Sequence, residues 1–221
     1  MTQKPAKRRV WIDTDPAMTT GNGEVDDGFA LIQALRSVEL DIVGISAVFG
    51  NTDTEHAFAM TKEIVKRAGR LDIPVYRGCK NAADHQINAA TKALCTAIDD
   101  APLSILALGP LTTIATALAQ PGLALGNVRE VIFVGGRRKG VEFYVNATQQ
   151  QPFRDLNFEL DVDAVKNVLA LNIPMTLAGW EVSSNMWITP SDLDQLTVND
   201  DACVQWLAAT SRNWQASWQF R

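Results

Sequence analysis

Short apolar runs rich in β-branched residues alternate along the chain with longer segments whose apolar positions recur at helical spacing. This alternation constrains the fold more than any other feature. It implies an α/β domain with an open, mainly parallel sheet and helices on both faces, because parallel strands need crossover helices between them. Strands are expected at residues 9–13, 41–48, 73–77, 103–108, 128–134 and 173–178, and helices at 26–37, 54–68, 87–99, 111–119, 162–171 and 201–218. With 47% hydrophobic residues in a chain of 221, one domain can bury a full core, and neither a repeat nor a low-complexity linker divides it. Residues 1–221 are therefore read as a single domain. The polar, aperiodic stretch 137–157 is expected to form a long loop or hairpin over one end of the sheet, and loops of that length are more often functional than idle.

Open α/β sheets bind ligands beyond the carboxyl ends of their strands. The residues expected there are Asp13 and Asp15, Gly50 and Asn51, Leu108-Gly109-Pro110, Gly135-Gly136, and Trp180-Glu181. Polar and turn-forming residues thus gather at one edge. The densest group follows the first strand, where Asp13, Asp15, Asp26 and Asp27, with Glu24 beside them, fall within residues 13–27. Asp26 and Asp27 also suit the opening of a helix, where the dipole favours acids. Capping leaves Asp13 and Asp15 unexplained. Carboxylates held together repel one another without a counter-charge, and a hard cation supplies one. Calcium, with its flexible shell of oxygens, tolerates such an irregular loop better than magnesium.

Several partners are argued against. The formal net charge is -5 and no basic stripe is interleaved with aromatic residues, so polymeric nucleic acid is not expected. The N-terminus MTQKPAKRR is basic, but the apolar run behind it stops at Asp13, too soon for a signal peptide, and no run approaches a membrane span. Cys79, Cys95 and Cys203 are dispersed and odd in number, without zinc spacing; buried reduced thiols in a cytoplasmic protein are expected.

The segments IDTDP (12–16) and DDGFAL (26–31) resemble the N-terminal signature of the inosine-uridine preferring nucleoside hydrolases. The resemblance continues in order through ISAVFGN (45–51), LALGPLTTIA (106–115), FVGG (133–136) and PFRDLNFELDVDA (152–164). It implies a Rossmann-like nucleoside hydrolase fold, a role in purine or pyrimidine salvage, and calcium-dependent cleavage of the N-glycosidic bond of a ribonucleoside. By the same resemblance Asp15, Asp27 and the Leu108 carbonyl hold the metal, and Asp15 also orients or deprotonates the attacking water. Asp26 and Asn51 hold ribose hydroxyls, while Gln149, Asp155 and Asn157 close on the sugar from the other side. Asp13 supports the loop. That assignment suits the chemistry, since an oxocarbenium-like transition state needs an activated water on one face and hydroxyl-binding groups around the ring.

The sequence also departs from the family's pattern. Nine residues, AMTTGNGEV, separate Pro16 from Asp26 where the commoner form passes almost directly from one motif to the next, and Gly21 and Gly23 suit an outward bulge. Asp155 stands for a glutamate, Gln149 and Thr113 each for an asparagine. Family members continue beyond the helix matching 201–218 and later supply a further aspartate to the metal, so this chain reads as lacking that part. His56 and His85 match no catalytic motif and are expected to be surface or structural. Trp206, Thr210, Trp214 and Trp218 form a stripe on the final helix that is expected to be core, or, left uncovered, to favour a homo-oligomer. Two other functions fit parts of the pattern: a nucleoside- or ribose-binding paralogue without catalysis, and a haloacid-dehalogenase-like phosphatase using Asp13 as nucleophile, for which no lysine or later acidic pair is found. Dinucleotide binding is disfavoured because GNG at 21–23 sits in no GxGxxG.

Overall fold

The computed structural model describes residues 6–20, 23–144 and 150–218. Its strands are β1 (Arg8–Thr14), β2 (Leu40–Ala47), β3 (Val75–Arg77), β4 (Leu103–Ala107), β5 (Val128–Val134) and β6 (Met175–Ala178). They form one six-stranded sheet in the order β3-β2-β1-β4-β5-β6, with every neighbouring pair parallel. The larger helices are α1 (Asp26–Arg36), α2 (Thr54–Arg67), α3 (Ala89–Asp100), α4 (Thr112–Leu118), α6 (Val162–Ala170), α8 (Pro190–Thr197) and α9 (Ala202–Trp218); α5 (Leu156–Glu159) and α7 (Trp180–Ser183) are single turns. The expected open parallel sheet with helices on both faces is what forms.

Because β1 lies in the middle of the sheet, its residues are buried on both sides and split by period two. Val10 and Ile12 pack with residues of α1, α2 and α9, among them Leu31, Ile64 and Leu207. Trp11 faces the other layer, with Leu94 of α3, Ile114 of α4 and Val165 of α6. The Trp11 ring stacks on Tyr76 at 5.7 Å. A Cβ at Gly44 would lie 2.4 Å from that ring, so only glycine fits there, and the β1–β2 register shifts between Val10 and Trp11.

Two strands start later than expected, and proline explains both. Pro74 and Pro174 have no N–H for a ladder. Their carbonyls still accept from Ile45 and Val131, at 3.0 and 2.9 Å, just before β3 and β6 begin. Helix α8 was not expected, although Thr189-Pro190-Ser191-Asp192 announces it: Thr189 and Asp192 form a reciprocal capping box and Pro190 occupies the first turn. The single turns α5 and α7 are too short to leave a periodic signal.

The final helix corrects the tryptophan stripe. The fully buried line of α9 is Cys203, Leu207, Ala208 and Ser211, and Trp206 and Trp214 flank it half-buried. Arg67 of α2 lies over the Trp206 ring at 4.6 Å, and the Trp214 indole donates to Glu24 Oε2 at 2.6 Å. The Trp218 side chain lies outside the described residues. All three cysteines are free; Cys79 and Cys203 are buried and Cys95 half-buried. Among the described residues no helix is long and apolar enough to cross a membrane.

Phe133, on β5 with no exposed surface, is the largest phenylalanine contribution to the core. Phe133→Ala is expected to cost about 3–5 kcal/mol through lost burial and the cavity left behind, read as a fall in the urea midpoint without a change in slope.

Candidate active site

The topology reverses between β1 and β4, and the crevice at the carboxyl ends of those strands is where the acids sit. Asp13 ends the apolar stretch of β1 and is fully buried. The Ser46 hydroxyl of β2 donates to its Oδ1, and the Trp11 indole donates to Ser46 at 2.9 Å. Asp15 follows the strand, also fully buried, and its Oδ2 accepts the Asn51 N–H at 2.6 Å. Two glycines make room for it. A Cβ at Gly50 would fall 1.9 Å from Asp15 Oδ2, and one at Gly109 would fall 3.0 Å from Oδ1. Asp27, in the first turn of α1, reaches back to the strand end: the Thr14 hydroxyl and the Asp15 N–H, the latter at 3.2 Å, both donate to its Oδ1.

The lengthened link between the two acidic motifs folds inward at its start, contrary to the expected outward bulge. Ala17 and Met18 are fully buried. The Met18 sulfur occupies space 2.2 Å from where a Cβ on Gly28 would stand, so Gly28 is what lets the loop pack onto α1, next to Leu207 of α9. A ring nitrogen of His56 lies 3.1 Å from the Met18 carbonyl oxygen, which gives that histidine a structural role. Thr20 and Gly23 close successive turns through N–H bonds to the Ala17 and Thr20 carbonyls. Gly21 lies outside the described residues.

Burial raises these carboxyls. Asp13 is pushed up to about 8 by burial, with the Ser46 bond opposing. Asp27 rises to about 7, through burial first and the neighbouring Asp26 second. Asp15 stands well above the ordinary carboxylate range for want of solvent, and the Asp27 charge adds to this. Asp26 is raised by the protein packed around it, yet its residue is open to solvent, and water contact limits that shift. No ion pair among the described residues involves any of the four. Asp13 Oδ2 and Asp15 Oδ1 are buried with no hydrogen-bond partner, a costly arrangement unless something positive completes it. The donor set therefore fits a hard cation. Among the described residues no three His, Cys, Asp or Glu side chains converge as a ready-made cage. Two carboxylates and a main-chain carbonyl would leave most of calcium's roughly six to eight oxygens to water or substrate.

The opposite wall is built from β5, β6 and residues 143 and 153–157, and within the described part of the stretch 137–157 Phe143 and Phe153 make an isolated antiparallel bridge, with the Phe153 N–H donating at 2.8 Å. Asn157 donates through Nδ2 to the carbonyls of Leu108 at 2.5 Å and Val134 at 3.0 Å. Its Oδ1 remains as an acceptor. Asp155 is buried and turned toward the main chain, accepting the Gly136 N–H at 2.6 Å and the Phe158 N–H at 3.3 Å. Both sides meet in a cavity of about 450 Å³ lined by Asp26, Asn51, Asp155 and Asn157 together with Glu24, Arg154 and the aromatic rings of Phe143, Phe153 and Trp180. Phe143 stacks on Trp180 at 4.6 Å.

The fold thus gathers Asp26, Asn51, Asp155 and Asn157 around one cavity, with Asp15 and Asp27 at the adjoining strand end and the Leu108 carbonyl joined to Asn157. Gln149 lies outside the described residues. Thr14 and Phe143 were not anticipated; Phe153 and Arg154 lie in the matched segment 152–164 and Trp180 at an expected strand end, but nothing local marks Phe143 as their neighbour. A second depression, of about 410 Å³, lies on the outer side of α2 and β3 around Phe58 and Arg77, and holds none of these acids.

The chain is similar to known proteins in sequence and in fold. The sequence model of the family described as "Inosine-uridine preferring nucleoside hydrolase" matches residues 10–220. A probable uridine nucleosidase 2 of Oryza sativa subsp. japonica is 24% identical over 92% of the chain and 65% of its own length. The non-specific ribonucleoside hydrolase RihC of Salmonella agona is 26% identical, covering 86% of this chain and 67% of that one. A plant nucleoside hydrolase of known structure superposes with a TM-score of 0.80 at 26% identity, over 94% of this chain and 70% of the other. The chain spans about two thirds of the length of these relatives.

The closeness of Gly50 to Asp15 gives a test. Gly50→Ala is expected to lower stability by about 1–3 kcal/mol, because the methyl group must displace a buried carboxylate. Gly126→Ala, where a Cβ meets nothing within 4 Å, is expected to stay within about 0.5 kcal/mol of the parent in the same urea titration.

Proposed function

The chain belongs to the inosine-uridine preferring nucleoside hydrolase family, and from that membership we propose that it hydrolyses the N-glycosidic bond of ribonucleosides to free base and ribose, with calcium at Asp15, Asp27 and the Leu108 carbonyl. One observation carries the reading: buried, partly unpartnered carboxylates stand at the strand end beside a cavity whose walls offer groups suited to a ribose, with Asn51 shared between the two. Calcium, when bound, supplies the positive charge that offsets these acids and lowers the pKa of water held there.

The chain's own residues have distinct parts. Asp15 has one oxygen fixed by the Asn51 N–H and the other without a partner, so it is placed to orient the attacking water and take its proton. Asp27 is held by Thr14 and the Asp15 N–H, and Asp13 by Ser46, which keeps the acids from turning away. Asp26 and Asn51, at the cavity wall, take ribose hydroxyls; Asn157 offers Oδ1 from the facing side. Bond cleavage moves the electron pair onto the base nitrogen. The stacked Phe143 and Trp180 present an apolar surface against which a departing base can lie. The shape is that of a site for a small molecule.

A binding role without turnover is the second reading, and the absence of a third converging carboxylate among the described residues favours it. Free base released from inosine or uridine, followed with a reducing-sugar assay, separates the two. Asp15→Asn is expected to lower kcat by about 10²- to 10⁴-fold, the usual worth of a positioned acid–base group. No release from any ribonucleoside by the parent protein would leave only binding. Independently of turnover, millimolar calcium is expected to raise the melting temperature, and Asp27→Ala to abolish that rise, since a ligand that binds only the native state stabilises it.

A further inference from the structure

The cavity is electrically two-ended. Its floor and one wall carry Asp26 and Glu24, next to the buried acids, and the opposite wall carries Arg154. Glu159 holds the Arg154 guanidinium by Nε at 3.3 Å, and the hydrogen bonds among the described residues leave both of its Nη groups without a partner. Arg137-Arg138-Lys139 are three consecutive cations in a protein of net charge -5, of which Arg137 pairs with Glu142 at 3.5 Å and Arg138 with Glu181 at 3.9 Å. Arg137 lies over the ring of Phe143, itself part of the cavity wall, at 5.2 Å. Asp155 is turned away: both its oxygens are taken by main-chain N–H groups. An anion entering there meets the two Nη groups of Arg154, with the Glu159 carboxylate held on the Nε side.

Resting on the proposed hydrolase reading, we infer that the substrate is of a phosphorylated class: a nucleoside 5′-phosphate, its ribose against Asp26 and Asn51 and its phosphate against the Nη groups of Arg154. Guanidinium and phosphate pair bidentately, which gives position as well as affinity. The reaction stays a simple hydrolysis. Water adds at C1′, the C1′–N bond breaks with its electron pair going to the base, the proton of the water ends on the base, and the products are ribose 5-phosphate and free base. The phosphate ester is untouched.

Two measurements test this. In thermal melts at fixed ionic strength, ribose 5-phosphate is expected to stabilise the protein at concentrations at least tenfold below those needed for ribose or inorganic phosphate; equal potency of ribose 5-phosphate and inorganic phosphate overturns the inference, because it shows a site for any anion. In base-release assays, kcat/KM for uridine 5′-monophosphate is expected to exceed that for uridine. Arg154→Ala should reduce the ratio of the two by tenfold or more through KM, with Arg154→Lys recovering part of it. Cleavage of uridine with an unchanged ratio in Arg154→Ala overturns the phosphate site and leaves the hydrolase reading standing, whereas release of base from neither compound defeats the hydrolase reading itself. In that case the ribose 5-phosphate melts still decide whether the phosphate end exists.

Discussion

Buried carboxylates with no basic partner are the constraint around which this structure is arranged. Asp13, Asp15 and Asp27 are removed from water at the end of the central strand, and each holds a proton more tightly there than in the unfolded chain. The sign follows from linkage. A carboxyl raised in the folded state gives up a proton in the unfolded chain at lower pH, so above its ordinary value the group opposes folding, and only a counter-charge reverses that. The rest of the fold has to carry this burden. A strand apolar on both faces drives the acids into the interior, and the two helical layers that close over it supply the burial.

Placement then depends on small residues. Gly50 and Gly109 bring two loops within contact of the Asp15 carboxylate, and Gly28 admits Met18 beneath the acidic loop. The loop's extra residues leave Asp27 in touch with Thr14 and the Asp15 N–H because its first half is buried against α1 and α9. Length added to a link need not move what the link connects, provided that the addition finds packing of its own; closing a somewhat longer loop costs little in entropy.

Much of this was legible in the sequence. The six strands announce themselves as short apolar, β-branched runs and six of the seven larger helices through period 3.6, and the strand ends identify the expected functional edge before any geometry is known. Boundaries failed where a chemical exception intervened, at Pro74 and Pro174, and α8 was missed although its capping box was readable. The tryptophan line of α9 misled because the line that packs into the core, Cys203, Leu207, Ala208 and Ser211, is offset from the most aromatic one. The acids and Asn157 were identifiable; the direction in which Asp155 points was not, since it depends on main-chain N–H groups of Gly136 and Phe158 that only folding brings to it. The Phe143–Trp180 stack belongs to the same class of feature, because Phe143 reaches Trp180 from a distant segment with no local signature.

One amide ties the halves of the site together. Asn157 spans the carbonyls of Leu108 and Val134, so the end of β4 and the end of β5 share a single side chain that also stands in the cavity wall. Anything that draws on the Leu108 oxygen loads the same hydrogen bond that orients the Asn157 acceptor. Occupancy on one side of that amide therefore carries a free-energy signature on the other, and by thermodynamic reciprocity the influence is equal in both directions. Through that amide the ends of β4 and β5 form one hydrogen-bonded wall of the crevice.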